Sequence, residues 1–127
     1  MVVLVMCVFT VHPTYAQAPK GTQGVPTVRE LVQKYSLQYG SSPTQLEKVM
    51  QCESSGNPNA WNKKDPGDGS KGIMQFQKNT FYDHAQKLGI SDPDIWNVDQ
   101  QIQIAAYMFS LGEQYQWTCS RLTGVIK

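Results

Sequence analysis

The sequence predicts a mainly α-helical domain with little or no β structure, and three observations carry that prediction. Apolar residues recur at three- and four-residue spacing in four separate stretches. Capping residues and glycines bracket those stretches where helices begin and end. No alternating apolar and polar run of any length marks a regular strand, and no internal repeat is visible. At 127 residues the chain is one domain, long enough for a real core and too short for two.

The first sixteen residues read as a targeting segment. Val2 to Phe9 is an unbroken apolar run, followed by a small-residue site at Thr14-Tyr15-Ala16, which predicts a secretory signal cleaved after Ala16. The run is too short to span a bilayer. Its β-branched content would also suit a buried N-terminal strand. The basic residues that open such signals are missing, as they would be if Met1 were an internal start within a longer leader. Residues 17–26 include Pro19, Gly21, Gly24 and Pro26 among polar neighbours and form a linker with little to bury.

The domain then occupies residues 27–127. Val28, Leu31, Val32 and Tyr35 make the inward stripe of a first helix, which Gly40 ends. Ser42 is placed to cap a second helix, with Pro43 at its first position and Gln45 completing a capping box. That helix carries Leu46, Val49, Met50 and Glu53 on one quarter of its circumference. A long polar loop follows from Asn57 to Lys71, its Asp65-Pro66-Gly67-Asp68-Gly69-Ser70 core built for sharp turns. The acids there do not alternate as a calcium loop requires, and no Glu closes the loop at the right distance. Gly72-Ile73-Met74-Gln75-Phe76 reads as short and extended. A third helix is expected from about Asn79 to Leu88, with Phe81, Ala85 and Leu88 inward and Gly89 as its stop. Asn97 and Gln100 then form a capping-box pattern ahead of the longest helix. Val98, Ile102, Ala105, Ala106 and Phe109 form one stripe there, and Ile104, Met108 and Leu111 a second. A helix apolar over that much of its surface belongs at the centre of the core. Tyr107 and Gln103 share its remaining polar strip.

Glu53 is the residue whose placement asks for an explanation. It follows an apolar arc into the last helical turn, immediately before Ser54-Ser55-Gly56-Asn57-Pro58, which cannot continue a helix. The negative end of the helix dipole and an apolar wall both disfavour its charged form, so its pKa is expected to rise. A protonated acid near neutral pH is useful for catalysis. On spacing alone, the side chain is equally able to swing into solvent at a frayed helix end.

Composition removes other classes. With 11 Lys and Arg against 10 Asp and Glu, the formal charge of +1 supports no nucleic-acid or anionic-membrane partner. Removal of the leader, and Cys7 with it, leaves Cys52 and Cys119, which in an exported domain pair most simply as one disulfide. Such a bridge would close a loop of roughly 68 residues and contribute about 4 kcal/mol at most. The competing reading makes Cys52 a nucleophile with His84 as its base.

Three separated pieces, Glu53-Ser54, Gly72-Ile73-Met74-Gln75 and Ala105-Ala106-Tyr107, resemble in this order the motifs of the lytic transglycosylase and goose-type lysozyme superfamily. The superfamily includes the transglycosylase-like domains of resuscitation-promoting factors. The likeness runs from about Leu46 to Thr118. It implies a lysozyme-like small α-domain with a sugar-binding cleft, acting on peptidoglycan glycan strands without metal or cofactor. Glu53 would then be the catalytic acid and Ser54 would steady its surroundings. Met74 and Gln75 would line the sugar site, and Tyr107 would bring its hydroxyl near Glu53. Gly72 would let backbone approach a pyranose closely. The bland alternatives are core filling for Met74 and loop anchoring for Gln75.

The chain departs from that pattern in two places. Gln101-Ile102 stands where the family has Asn-Ile, and the loop before Gly72 is acidic and rich in glycine. Goose-type relatives have an acid in that loop which acts on a water, so Asp65 and Asp68 are candidates for a second acid beside their simpler role in the turn. Trp61 is the best candidate for the rim of a sugar site, Trp117 is expected to pack around the disulfide, and Trp96 has no assigned place.

Overall fold

A computed structural model describes residues 24–127 of the chain. The leader lies outside the described residues, as does most of the linker. From Thr27 onward the order is α1 (Val28–Tyr39), α2 (Pro43–Ser54), β1 (Trp61–Asn62), β2 (Ser70–Lys71), β3 (Phe76–Gln77), α3 (Lys78–Lys87), α4 (Val98–Ser110), a 3-10 turn (Glu113–Gln116) and α5 (Thr118–Leu122). This is a mainly helical domain, as the apolar spacing predicts.

The helix starts follow capping chemistry. Thr27 and Glu30 complete a reciprocal capping box at α1. Ser42 Oγ accepts the Gln45 amide at 3.3 Å and Pro43 opens α2. Asn97 Oδ1 accepts the Gln100 amide at 3.1 Å. The Gln100 side chain does not return to that cap: it accepts from the Asp94 amide and donates to the Asp92 carbonyl, holding the preceding turn.

Helix α4 packs against α1, α2 and α3 and forms the centre of the core. Its Ile102, Ile104, Ala105, Ala106 and Met108 are fully buried, and Leu46, Val49, Val32 and Phe81 meet them from the other helices. Leu111 departs from the expected second stripe. It is the C-cap residue, where the helix has ended, and it is exposed.

The little β structure of the domain lies between α2 and α3, beside one departure from expectation. A three-stranded antiparallel sheet, β1-β2-β3, forms from strands of two residues each, too short to leave an alternating pattern in sequence. Gly72 to Gln75 is not extended. It is a tight turn between β2 and β3, with the Gln75 amide donating to the Gly72 carbonyl at 3.1 Å and both residues at positive φ. Glycine adopts that conformation freely; Gln75, at φ 53°, must be held in it.

Candidate functional site

Three side chains from outside this turn hold it in place. Ser54 Oγ, at the end of α2, donates to the Ile73 carbonyl at 2.6 Å. Gln101 Oε1, on α4, accepts the Met74 amide at 2.8 Å, while Trp117 Nε1 donates to the Met74 carbonyl at 2.8 Å. The Gln101 amide nitrogen donates onward to the carbonyls of Lys71 and Ile95. A Cβ on Gly72 would lie 2.0 Å from Gln101 Nε2. Gly72 therefore makes room for a buried amide of this chain.

Gln101 is nearly free of solvent contact, so its three backbone partners depend on it for their hydrogen bonds. Gln101→Leu keeps the volume and orphans all three groups, at about 1–3 kcal/mol for each that finds no other partner. We expect the thermal unfolding midpoint to fall clearly, as read by circular dichroism; a wild-type midpoint would show that the amide is no fastener.

The clamped turn forms one wall of a polar cavity of about 370 Å³. Glu53 faces this cavity from α2 and Asp65 from the loop between β1 and β2. Ser70, Gln75, Phe76 and Gln77 contribute from the sheet and the turn, Thr80 from α3, and Gln116, Trp117 and Thr118 from the C-terminal segment. The cavity thus gathers parts of the chain from residue 53 to residue 118.

Glu53 is half-buried, and loss of water around its carboxylate pushes its pKa above the ordinary 4.5. The Cys119 amide donates to Glu53 Oε1 at 3.3 Å and pulls the other way, whereas the negative charge of Asp65 reinforces the rise. Burial is the largest of the three effects. Asp65 is itself fixed by Ser70, whose hydroxyl donates to Asp65 Oδ2 at 2.5 Å.

Other expected site residues lie elsewhere. Asp68 ion-pairs with Lys71 at 3.5 Å and with Lys78 at 3.9 Å and does not line the cavity, whereas Asp65 lines it together with Glu53. Met74 is 0% exposed, so its side chain fills the core and cannot line a sugar site. Gln75 does line the cavity, but its amide nitrogen is taken up by the carbonyls of Ala60 and Gly72 at 3.1 and 2.9 Å. Tyr107 packs edge-on against Tyr39 and next to the His84 ring, and it is not among the residues that line the cavity. Trp61 is not on the cavity wall; it pairs with Trp96 at 6.1 Å between ring centroids.

Cys52 and Cys119 form a disulfide with Cα atoms 5.8 Å apart. The bridge overturns the reading of Cys52 as a nucleophile. His84 is occupied as well, with Nε2 at 2.8 Å from Glu113 and Nδ1 at 2.9 Å from the Thr80 carbonyl. Trp117 packs on Phe76 and Phe109. Gln116, Thr118, Ser70 and Thr80 carry no signal in the sequence because only the folded chain brings them to one cavity. The unusual Gln101 was the one available pointer to the clamp.

The Transglycosylase SLT domain family matches this chain over residues 30–120, from within α1 into α5. No curated protein matches it.

Proposed function

The chain belongs to the Transglycosylase SLT domain family, and from that membership we propose that it is an exported enzyme cleaving the bond between N-acetylmuramic acid and N-acetylglucosamine in peptidoglycan. Glu53 acts as both acid and base. Its carboxyl gives a proton to the glycosidic oxygen as the bond to C1 of the muramic residue breaks, and the acetamido oxygen of that residue closes onto C1. The Glu53 carboxylate then takes the proton of the 6-hydroxyl, whose oxygen attacks C1 and displaces the acetamido oxygen. A 1,6-anhydro sugar results, and Glu53 has its proton back. No water enters the sequence.

The observation that carries this reading is a half-buried glutamate with a raised pKa on the wall of a polar cavity. A proton donor must still hold its proton at working pH, and desolvation moves Glu53 in that direction. Export agrees with the disulfide and with a wall substrate. No helix among the described residues is long and apolar enough to cross a membrane.

Asp65 favours a second reading, hydrolysis, because it shares the cavity and could direct a water at C1. We assign it the electrostatic role instead, since Ser70 occupies one of its oxygens and its charge helps keep Glu53 protonated.

Release of soluble fragments from purified peptidoglycan, followed against pH, tests the assignment. The raised pKa means that the folded protein holds the Glu53 proton more tightly than the unfolded chain does. Its contribution to stability is therefore full below 4.5 and is lost as pH rises through the folded value. Activity should fall through that same folded value. In Asp65→Asn the falling limb should move to lower pH with the acidic plateau retained. Loss of rate at every pH would make Asp65 a reacting group, and no soluble fragments from the wild type at any pH would leave a wall-binding domain without turnover.

A further inference from the structure

The Trp61–Trp96 pair stands apart from the cavity and is exposed, at 50% for Trp61 and 39% for Trp96. The rings meet edge to face, with planes 80° apart. Both are anchored. Trp61 lies in β1 and its Nε1 donates to the Asp68 carbonyl at 3.0 Å. Trp96 follows the buried Ile95, whose carbonyl the Gln101 clamp holds, and its amide donates to Asp94 Oδ1 at 3.0 Å.

Neither ring is among the residues that line the catalytic cavity. Trp61 is in register with Lys71, and Lys71 with Phe76. Two ammonium groups border Trp61: Lys63 Nζ lies 4.4 Å from the centre of a Trp61 ring and Lys71 Nζ 5.4 Å. Lys71 is shared with Asp68, but Lys63 makes no ion pair among the described residues.

We propose that Trp61 and Trp96, with Lys63, form a second carbohydrate-binding site that holds a carboxylate-bearing glycan strand outside the catalytic cavity. The chemistry matches the ligand on both counts. An indole offers a flat apolar surface to the C–H face of a pyranose and a polar edge to its hydroxyls. Lys63 rests on the indole only through a weak, exposed cation–π contact, and its flexible stem lets the ammonium turn to the lactyl carboxylate of a muramic residue. Anchoring makes the platform rigid before binding, so little order is lost when a strand settles on it. The proposal rests on the peptidoglycan reading, since the same polymer serves both sites.

Oxidative footprinting tests it without altering the platform. The Glu53→Gln protein is treated with N-bromosuccinimide, with and without purified peptidoglycan sacculi, and oxidation of each tryptophan is read by peptide mass spectrometry. Sacculi should slow oxidation of Trp61 and Trp96 at least about threefold, as burial of an indole against a sugar face requires. Equal oxidation in both samples overturns the site. Protection that grows with protein concentration without glycan assigns the pair to a second copy of the chain and overturns it equally. Failure of the catalytic reading has a separate readout, the absence of soluble fragments from the wild type.

Discussion

Glu53→Gln loses turnover on purified peptidoglycan by at least about a hundredfold, or roughly 2.7 kcal/mol of transition-state stabilisation, the lower end of what a positioned general acid contributes. The amide keeps the size of the carboxyl and can still accept from the Cys119 N–H, which lies 3.3 Å from Glu53 Oε1. What it cannot do is give up a proton to an ether oxygen or recover one from a hydroxyl. The loss should therefore appear in kcat with little change in KM, because the substitution removes chemistry and leaves the cavity wall in place. The variant should also fold at least as well as the wild type near neutral pH, since a half-buried ionisable group is replaced by a neutral one. Wild-type rates of fragment release from this variant would remove Glu53 from the mechanism.

Breaking the Cys52–Cys119 bridge has the second large effect. The bridge joins positions 67 residues apart, a loop closure worth about 4 kcal/mol in the chain-entropy treatment. Reduction, or Cys119→Ser, should lower the midpoint of thermal unfolding by roughly 10 °C or more in a domain of this size. Catalysis should suffer too. Cys52 immediately precedes Glu53, and Cys119 supplies the amide that touches it, so the disulfide fixes the distance between the acid and the segment holding Gln116, Trp117 and Thr118. Calorimetry with and without reductant checks the first effect. An unchanged midpoint would mean that helix packing alone docks α5.

Much of this architecture was legible in sequence because it rests on local rules. The caps at Ser42 and Asn97, the apolar stripes and the position of Glu53 at the end of α2 all follow from spacing within one turn or two. The same rules led to Asp65 and Asp68 together without separating them, because one lines the cavity and the other binds lysines only through the tertiary path of the loop. Met74 was misplaced for a related reason: a motif names a residue type, but burial decides which way its side chain faces. Strands of two residues have no periodicity to detect, so the sheet that carries Trp61 was invisible. Gln101 exceeds the family's Asn by one methylene, and the clamp it forms became visible only with its three backbone partners around it.

The product ends report most directly on whether Glu53 works alone. Digestion of purified peptidoglycan by the wild-type protein, followed by mass spectrometry of the soluble fragments, should give chains ending in 1,6-anhydro-N-acetylmuramic acid. These are lighter by one water than the reducing ends that a hydrolase leaves. Asp65→Asn should yield the same anhydro ends, because in this account Asp65 touches only the electrostatics of Glu53. Predominantly reducing ends from the wild type would contradict the account, placing a water at C1 and Asp65 beside it as the base.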